Sequence, residues 1–165
     1  MTADFYNTIE KPSVAEFSDR GSKFIAFAFP LADAADFKEK LAAVKKEHPK
    51  ATHHCFAYRL GTEGTSYRVS DDGEPSGSAG RPILGQIDSR ELTDTLVVVV
   101  RYFGGTLLGV PGLITAYKTV AALALQVTPL LQKSVLVPYR LQFDYTRMND
   151  VMRLVKQFGC TVLEQ

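Results

Sequence analysis

The chain has 165 residues, of which 45% are hydrophobic and 22% charged, enough for one good core or one domain and part of another. A formal net charge of +1 provides no global attraction for a polyanion, so any nucleic-acid surface must be a local patch. Residues 1–9 lack a basic stretch leading into an apolar one, and the apolar runs fall short of the ~20 residues a membrane span needs. The expectation is a cytoplasmic protein with no membrane partner. Cys55 and Cys160 lie far apart in no metal or redox spacing, which points to reduced thiols.

In chain order, Ser13-Val14-Ala15-Glu16-Phe17 and Lys23-Phe24-Ile25-Ala26-Phe27-Ala28-Phe29 predict two strands around the polar turn Asp19-Arg20-Gly21. The second is apolar on both faces and belongs inside a sheet. Asp33 is placed to cap a helix in which Phe37, Leu41 and Val44 recur at helical spacing, and His48-Pro49 ends it. Residues 53–60 and 65–70 predict a hairpin, and residues 83–92 a short helix. Leu96-Val97-Val98-Val99-Val100 has the β-branched, unbroken character of a strand buried on both sides. Pro111 suits the first turn of a long, largely buried helix over 113–131. Beyond it, residues 135–145 predict a strand, 148–158 an amphipathic helix and 161–163 a further strand start, a β-α-β unit that stops with the chain.

Two glycine-rich turns flank the most apolar strand, and loops at such strand ends are where α/β proteins usually place their sites. In the first turn, Ser76-Gly77-Ser78-Ala79-Gly80 before a helix supplies backbone N–H groups for a phosphate, with Arg81 alongside. The plainer alternative, a tight turn whose serines cap the helix, is preferred because no P-loop pattern is present. Asp71, Asp72 and Glu74 offer a magnesium site or a general acid and base; the preferred alternative has the aspartates shaping the turn and Glu74 pairing with an arginine among Arg68, Arg81 and Arg101. His53 and Cys55 share one strand face with His54 on the other, a poor metal set and a poorer catalytic pair, so a packed cysteine is favoured. Arg101-Tyr102-Phe103-Gly104-Gly105 combines a cation, two aromatics and bare backbone, suited equally to stacking on a base or peptide side chain and to filling the core. Tyr58, Arg59, Tyr67 and Arg68 on the hairpin would extend such a surface.

The residues DDGEPSGSAGRP, VVVRYFGG and LGVPGLITAY, with the upstream His53-His54-Cys55-Phe56-Ala57-Tyr58, resemble the signature of the IMPACT family of bacterial YigZ-like and eukaryotic Impact-like proteins. The resemblance covers roughly residues 10–130. It implies an α+β chain: a ribosomal protein S5 domain 2-like fold over 1–131, then a ferredoxin-like domain similar to a C-terminal domain of elongation factor G. Residues 134–165 would be the first half of that second domain, apparently truncated. Ser78 stands where the family more often has threonine, and Ile114-Thr115 follow Gly112-Leu113 where many relatives carry a base, leaving Lys118 as the nearest cation.

Eukaryotic relatives bind a ribosome-associated activator of a kinase acting on an initiation factor. The resemblance therefore implies a translation-associated regulatory or binding module, without cofactor or metal, that contacts RNA or a ribosome-associated protein through its two glycine-rich loops. The expected contact residues are Ser76, Gly77, Ser78, Gly80, Arg81, Arg101, Tyr102, Gly104, Gly105 and Lys118. One alternative is an enzyme acting on a phosphorylated or peptide-like small molecule, with Glu74 or Asp72 as base; another is a protein-interaction role without nucleic acid. The oligomeric state stays open.

Overall fold

A computed structural model describes residues 4–165. It is an α+β structure with two antiparallel sheets and four α-helices, divided into a compact unit ending at Val135 and a second unit, Leu136–Gln165.

In the first unit, β2 (Ser13–Asp19), β3 (Ser22–Pro30), β4 (His53–Leu60), β5 (Ser66–Ser70) and β6 (Thr95–Tyr102) form one sheet in the order β2-β3-β6-β4-β5, every neighbouring pair antiparallel. The valine-rich run is the central strand, as its composition predicts, and Leu96 to Val100 are fully buried. Each such side chain contributes about 1.5–3 kcal/mol when taken out of water. Because alternate residues face opposite ways, Val97 and Val99 pack in one core with Phe24, Ala26, Cys55, α2 (Gly80–Ser89) and α3 (Gly109–Gln126). Leu96, Val98 and Val100 pack in the other, with α1 (Ala34–Glu47).

Two parallel strand pairs result, β3 with β4 and β5 with β6, each separated by one strand and each joined through a helix. The crossovers run in opposite directions between strands of opposite sense, so two of the same hand would put α1 and α2 on one face of the sheet. They lie on opposite faces, and one crossover is therefore of the left hand, against the strong general preference for right-handed connections.

Element ends depart from the sequence reading where caps and partners intervene. The α2 helix starts three residues earlier than expected, at Gly80, because the Asp71 carboxylate receives the Ala79 and Gly80 N–H groups. Similarly, α3 starts at Gly109, with Pro111 in the first turn, where the missing N–H costs nothing. It stops at Gln126 instead of 131, since Pro129 disfavours helical backbone at Thr128. The residues released form β7 (Leu130–Ser134), paired antiparallel with β1 (Phe5–Ile9), a ribbon that no periodicity announced.

In the second unit, the helix α4 (Met148–Gln157) follows a 3-10 turn at Tyr145–Arg147. The strands expected at 135–145 and 161–163 do not form: β7 takes the chain only to Ser134, and residues 135–144 and 161–165 carry no ladder. A strand is stable only against a partner, and Pro138 has no N–H to give one. The unit's apolar residues Leu136, Tyr139, Leu141, Phe158 and Leu163 are exposed.

Candidate functional site

Strand directions put four connections at one end of the main sheet: the β2–β3 turn, the α1–β4 loop, the β5–α2 loop and the β6–α3 loop. Both glycine-rich turns are among them. The backbone forces much of the packing here. A Cβ on Gly104 would lie 2.0 Å from the Gly21 carbonyl carbon, so the two turns touch through bare backbone, and Gly21 itself sits at φ +85°.

Beneath the loops lies a buried polar cluster. Arg101, 4% exposed, donates from Nη1 to both oxygens of Glu74, at 2.9 and 2.8 Å, and from Nη2 to Ser22 Oγ at 3.3 Å. Its guanidinium lies 5.5 Å from the ring centres of both Phe24 and Phe103. Tyr117, fully buried in α3, donates to Glu74 Oε2 at 2.6 Å. The His53 Nε2 atom is 3.1 Å from Glu74 Oε1, and its Nδ1 is 2.7 Å from the Asp72 carbonyl. Ser22 Oγ also receives the Gly104 N–H at 3.2 Å, which ties the second glycine turn to the same cluster.

The electrostatics of the cluster suit a brace. Burial pushes the Tyr117 hydroxyl's pKa far up, with help from Cys55 and Glu74, so it stays a donor. Burial likewise pushes up the Cys55 thiol, against the lowering effect of its hydrogen bond with the Tyr117 hydroxyl and with the charges of Glu74, Asp72 and Asp71 adding to the rise, so no thiolate forms. Both Glu74 oxygens are engaged by donors, which is poor preparation for a general base.

The first glycine turn closes on itself. Asp71 Oδ2 accepts the Gly77 N–H at 2.9 Å, and Oδ1 accepts those of Ala79 and Gly80 at 3.1 and 2.9 Å. Those amides are the ones the sequence reading offered to a phosphate. Burial raises the Asp71 pKa, but these three N–H groups and the charge of Arg81 outweigh it and leave the carboxyl below its ordinary value. The serines do not cap α2: Ser78 Oγ donates to the Pro75 carbonyl at 2.5 Å, and Ser76 is exposed.

Of the expected contact residues, Arg101 does not reach the surface, because its ion pair with Glu74 holds it inside. The ring of Tyr102 is half-buried, its hydroxyl 2.6 Å from His48 Nδ1. Asp72 is spent locally, its carboxylate accepting the His54 N–H at 2.7 Å. Arg81, Gly104, Gly105 and Lys118 are exposed, as is Phe103 at 47%. On the hairpin, Tyr58 is buried, Arg59 pairs with Asp88, and Arg68 lies over the rings of Phe37 and Phe56.

Sequence reasoning passed over Lys45 and Lys46 in the last turn of α1 and Lys50 in the α1–β4 loop, all at this same end, exposed and in no ion pair among the described residues. It also passed over Tyr117, although a tyrosine in so apolar a helix needs a partner for its hydroxyl. Among the described residues no group of three or more histidine, cysteine or acidic side chains is placed to hold a metal, and no helix is long and apolar enough to cross a membrane.

The sequence pattern of the Impact N-terminal domain matches residues 20–125, which include strands β3 to β6 of the main sheet, both glycine turns and the buried cluster. The chain belongs to the IMPACT family. An IMPACT family member of Haemophilus influenzae is 35% identical over 154 residues, covering 92% of this chain and 75% of that one. The IMPACT family member YigZ of Escherichia coli is 37% identical over 138 residues, covering 82% and 68%. A solved structure described as a hypothetical protein superposes with a TM-score of 0.85 at 31% identity, over 98% of this chain and 80% of its own. IMPACT relatives extend to eukaryotes: the mouse protein IMPACT is 34% identical over 110 residues, covering 62% of this chain and 34% of its own.

Proposed function

We propose that this IMPACT family chain is a translation-related binding module that contacts RNA, or a ribosome-associated protein, through the end of the sheet carrying its two glycine-rich loops. The observation that carries this reading is the charge at that end. Arg81, Lys45, Lys46 and Lys50 are exposed there and in no ion pair among the described residues, beside the half-exposed ring of Phe103 and the bare backbone of Gly104 and Gly105, with Lys118 exposed farther along α3. A chain of near-zero net charge thus has one locally basic end, with an aromatic surface a base can stack on. The translation link rests on the family and its eukaryotic IMPACT members. The S5 domain 2-like assignment for 1–131 and the partial ferredoxin-like assignment for 134–165 belong to the same proposal.

The enzyme alternative has less to rest on, because Asp71 fills the anion cradle and Glu74 is bonded at both oxygens. Titration with a fluorescent single-stranded RNA at two salt concentrations tests the reading. Binding should weaken with salt, and Arg81→Glu with Lys118→Glu should weaken it about tenfold or more without unfolding, since phosphate contacts and their counterion release are lost. Binding indifferent to salt and to both reversals refutes the RNA form of the proposal.

A further inference from the structure

At the basic end of the sheet, Phe103 is held in a fixed setting. Its N–H donates to Thr52 Oγ1 at 3.1 Å, and the Thr52 N–H donates to the Arg101 carbonyl at 2.8 Å, which pins the residue between β6 and the α1–β4 loop that carries Lys50. One face of the ring is turned to the Arg101 guanidinium, whose carbon lies 5.5 Å from the ring centre and 5.5 Å from that of Phe24. With that face covered, the opposite face and the edge carry the ring's exposure; Phe103 as a whole is 47% exposed. The next two residues offer no side chain to cover it, and a Cβ at Gly105 would meet no atom within 4 Å.

The buried cation decides what the free face attracts. Glu74 engages Nη1 of Arg101 and Ser22 engages Nη2, while Nε is the buried side-chain polar atom left without an acceptor among the described residues. The carboxylate therefore meets the guanidinium at one corner, and positive charge remains against the ring. A cation on one face draws π density towards itself, which leaves the other face a poor host for a second cation. Lys45, Lys46 and Lys50, exposed at the same end and in no ion pair among the described residues, add to the repulsion. Lysine and arginine side chains of a protein partner are thereby disfavoured, and a flat, neutral ring joined to negative charge is favoured. A nucleobase on its phosphate backbone has both properties, and stacking on a protein ring requires that base to be unpaired.

We propose that Phe103 is the platform for one unpaired base, preferentially a purine, of a single-stranded RNA whose phosphates face Lys45, Lys46 and Lys50; this rests on the RNA form of the binding role above and adds the state and class of the base bound. The purine is preferred because two fused rings overlap the platform more fully than one and offer more π density to a ring polarised by the guanidinium behind it. A duplex keeps its bases paired and stacked on each other, so it reaches the lysines but not the ring.

Phe103→Trp supplies the readout, because the chain contains no tryptophan and the introduced indole is then its only one. The variant is titrated at low salt with end-labelled oligoadenylate, oligouridylate and an abasic strand of equal length, and with a duplex, following anisotropy for affinity and indole emission for stacking. Saturable quenching by oligoadenylate is expected, with weaker quenching by oligouridylate, and the abasic strand should bind without quenching at about tenfold lower affinity, the loss of one stacked base. In the otherwise unchanged chain, Phe103→Leu keeps an apolar side chain beside Arg101; it should lower affinity for oligoadenylate about tenfold and leave that for the abasic strand as it was. Equal affinity for the adenylate and abasic strands, a duplex bound as tightly as the single strand, or a preference for oligouridylate overturns the platform while leaving salt-sensitive RNA binding intact. Failure of every strand to bind overturns the RNA role along with it. Quenching by an oligolysine peptide at lower concentration than by oligoadenylate also overturns the platform, in favour of a basic protein partner.

Discussion

Replacing Glu74 by alanine tests the buried cluster most directly. The substitution removes the acceptor of two Arg101 bonds and of the Tyr117 hydroxyl, and the partner of His53, while leaving the guanidinium inside the protein. The side chains of Arg101 and Glu74 are 5% and 4% exposed, so screening by water does little to soften the loss. Breaking a buried pair by removing one member costs about 3–5 kcal/mol. At about 2–4 °C per kcal/mol for a chain of this size, Tm should fall by roughly 6–20 °C. Urea denaturation followed by far-ultraviolet circular dichroism gives the free-energy change. The double substitution Glu74→Leu with Arg101→Met should recover most of it, because a hydrophobic replacement of a buried pair is often neutral. A loss below about 1 kcal/mol for Glu74→Ala, the magnitude of an exposed ion pair, would refute the buried brace.

The Asp71 carboxyl, held below its ordinary value, contributes stability that is complete above the unfolded pKa of about 4 and is lost as pH falls through the lower folded value. Asp71→Asn should therefore be less stable at neutral pH and show a smaller acid-induced loss, measured as Tm against pH; parallel profiles would contradict the three amide bonds. In native protein a thiol reagent should modify Cys160, which is exposed, and spare Cys55, with both reacting in denaturant. Gly104→Ala should destabilise by several kcal/mol or prevent folding, since its Cβ would meet Gly21 backbone at 2.0 Å and backbone cannot rotate away; a Tm within a degree or two of the parent would contradict that contact.

Periodicity made the sheet and the helix positions readable, because a two-sided apolar strand such as Leu96 to Val100 and a one-sided helix such as α1 each carry their burial in their own residues. The β1–β7 ribbon was unreadable for the opposite reason. Phe5 and Leu130 remain exposed, and the ribbon is held by register and by bonds such as Thr93 N–H to the Asn7 carbonyl, which no local pattern encodes. Glu74 illustrates partial legibility: an arginine partner was foreseeable from composition, but choosing Arg101 over Arg68 or Arg81 required strand β6 to bring it across 27 residues of sequence. Pattern placed Arg101 and Phe103 together on one loop. Only the fold shows that one is buried and the other half-exposed.

That division bears on how the glycine turns act. Gly104 meets Gly21 through backbone, Ser22 bonds both Arg101 and the Gly104 N–H, and Asp71 draws the amides of Gly77, Ala79 and Gly80 around itself. The turns are thus fixed from below by groups that face inward, and whatever binds them meets preorganised backbone with little ordering entropy left to lose. In the proposed binding role, affinity would come from the exposed charges and from Phe103, whose ring has the Arg101 guanidinium 5.5 Å from its centre. Substitutions in the buried cluster should accordingly change stability and loop order first, whereas Lys118→Glu should change binding alone and Arg81→Glu should change binding at a small added cost in stability, because it removes the favourable charge near Asp71.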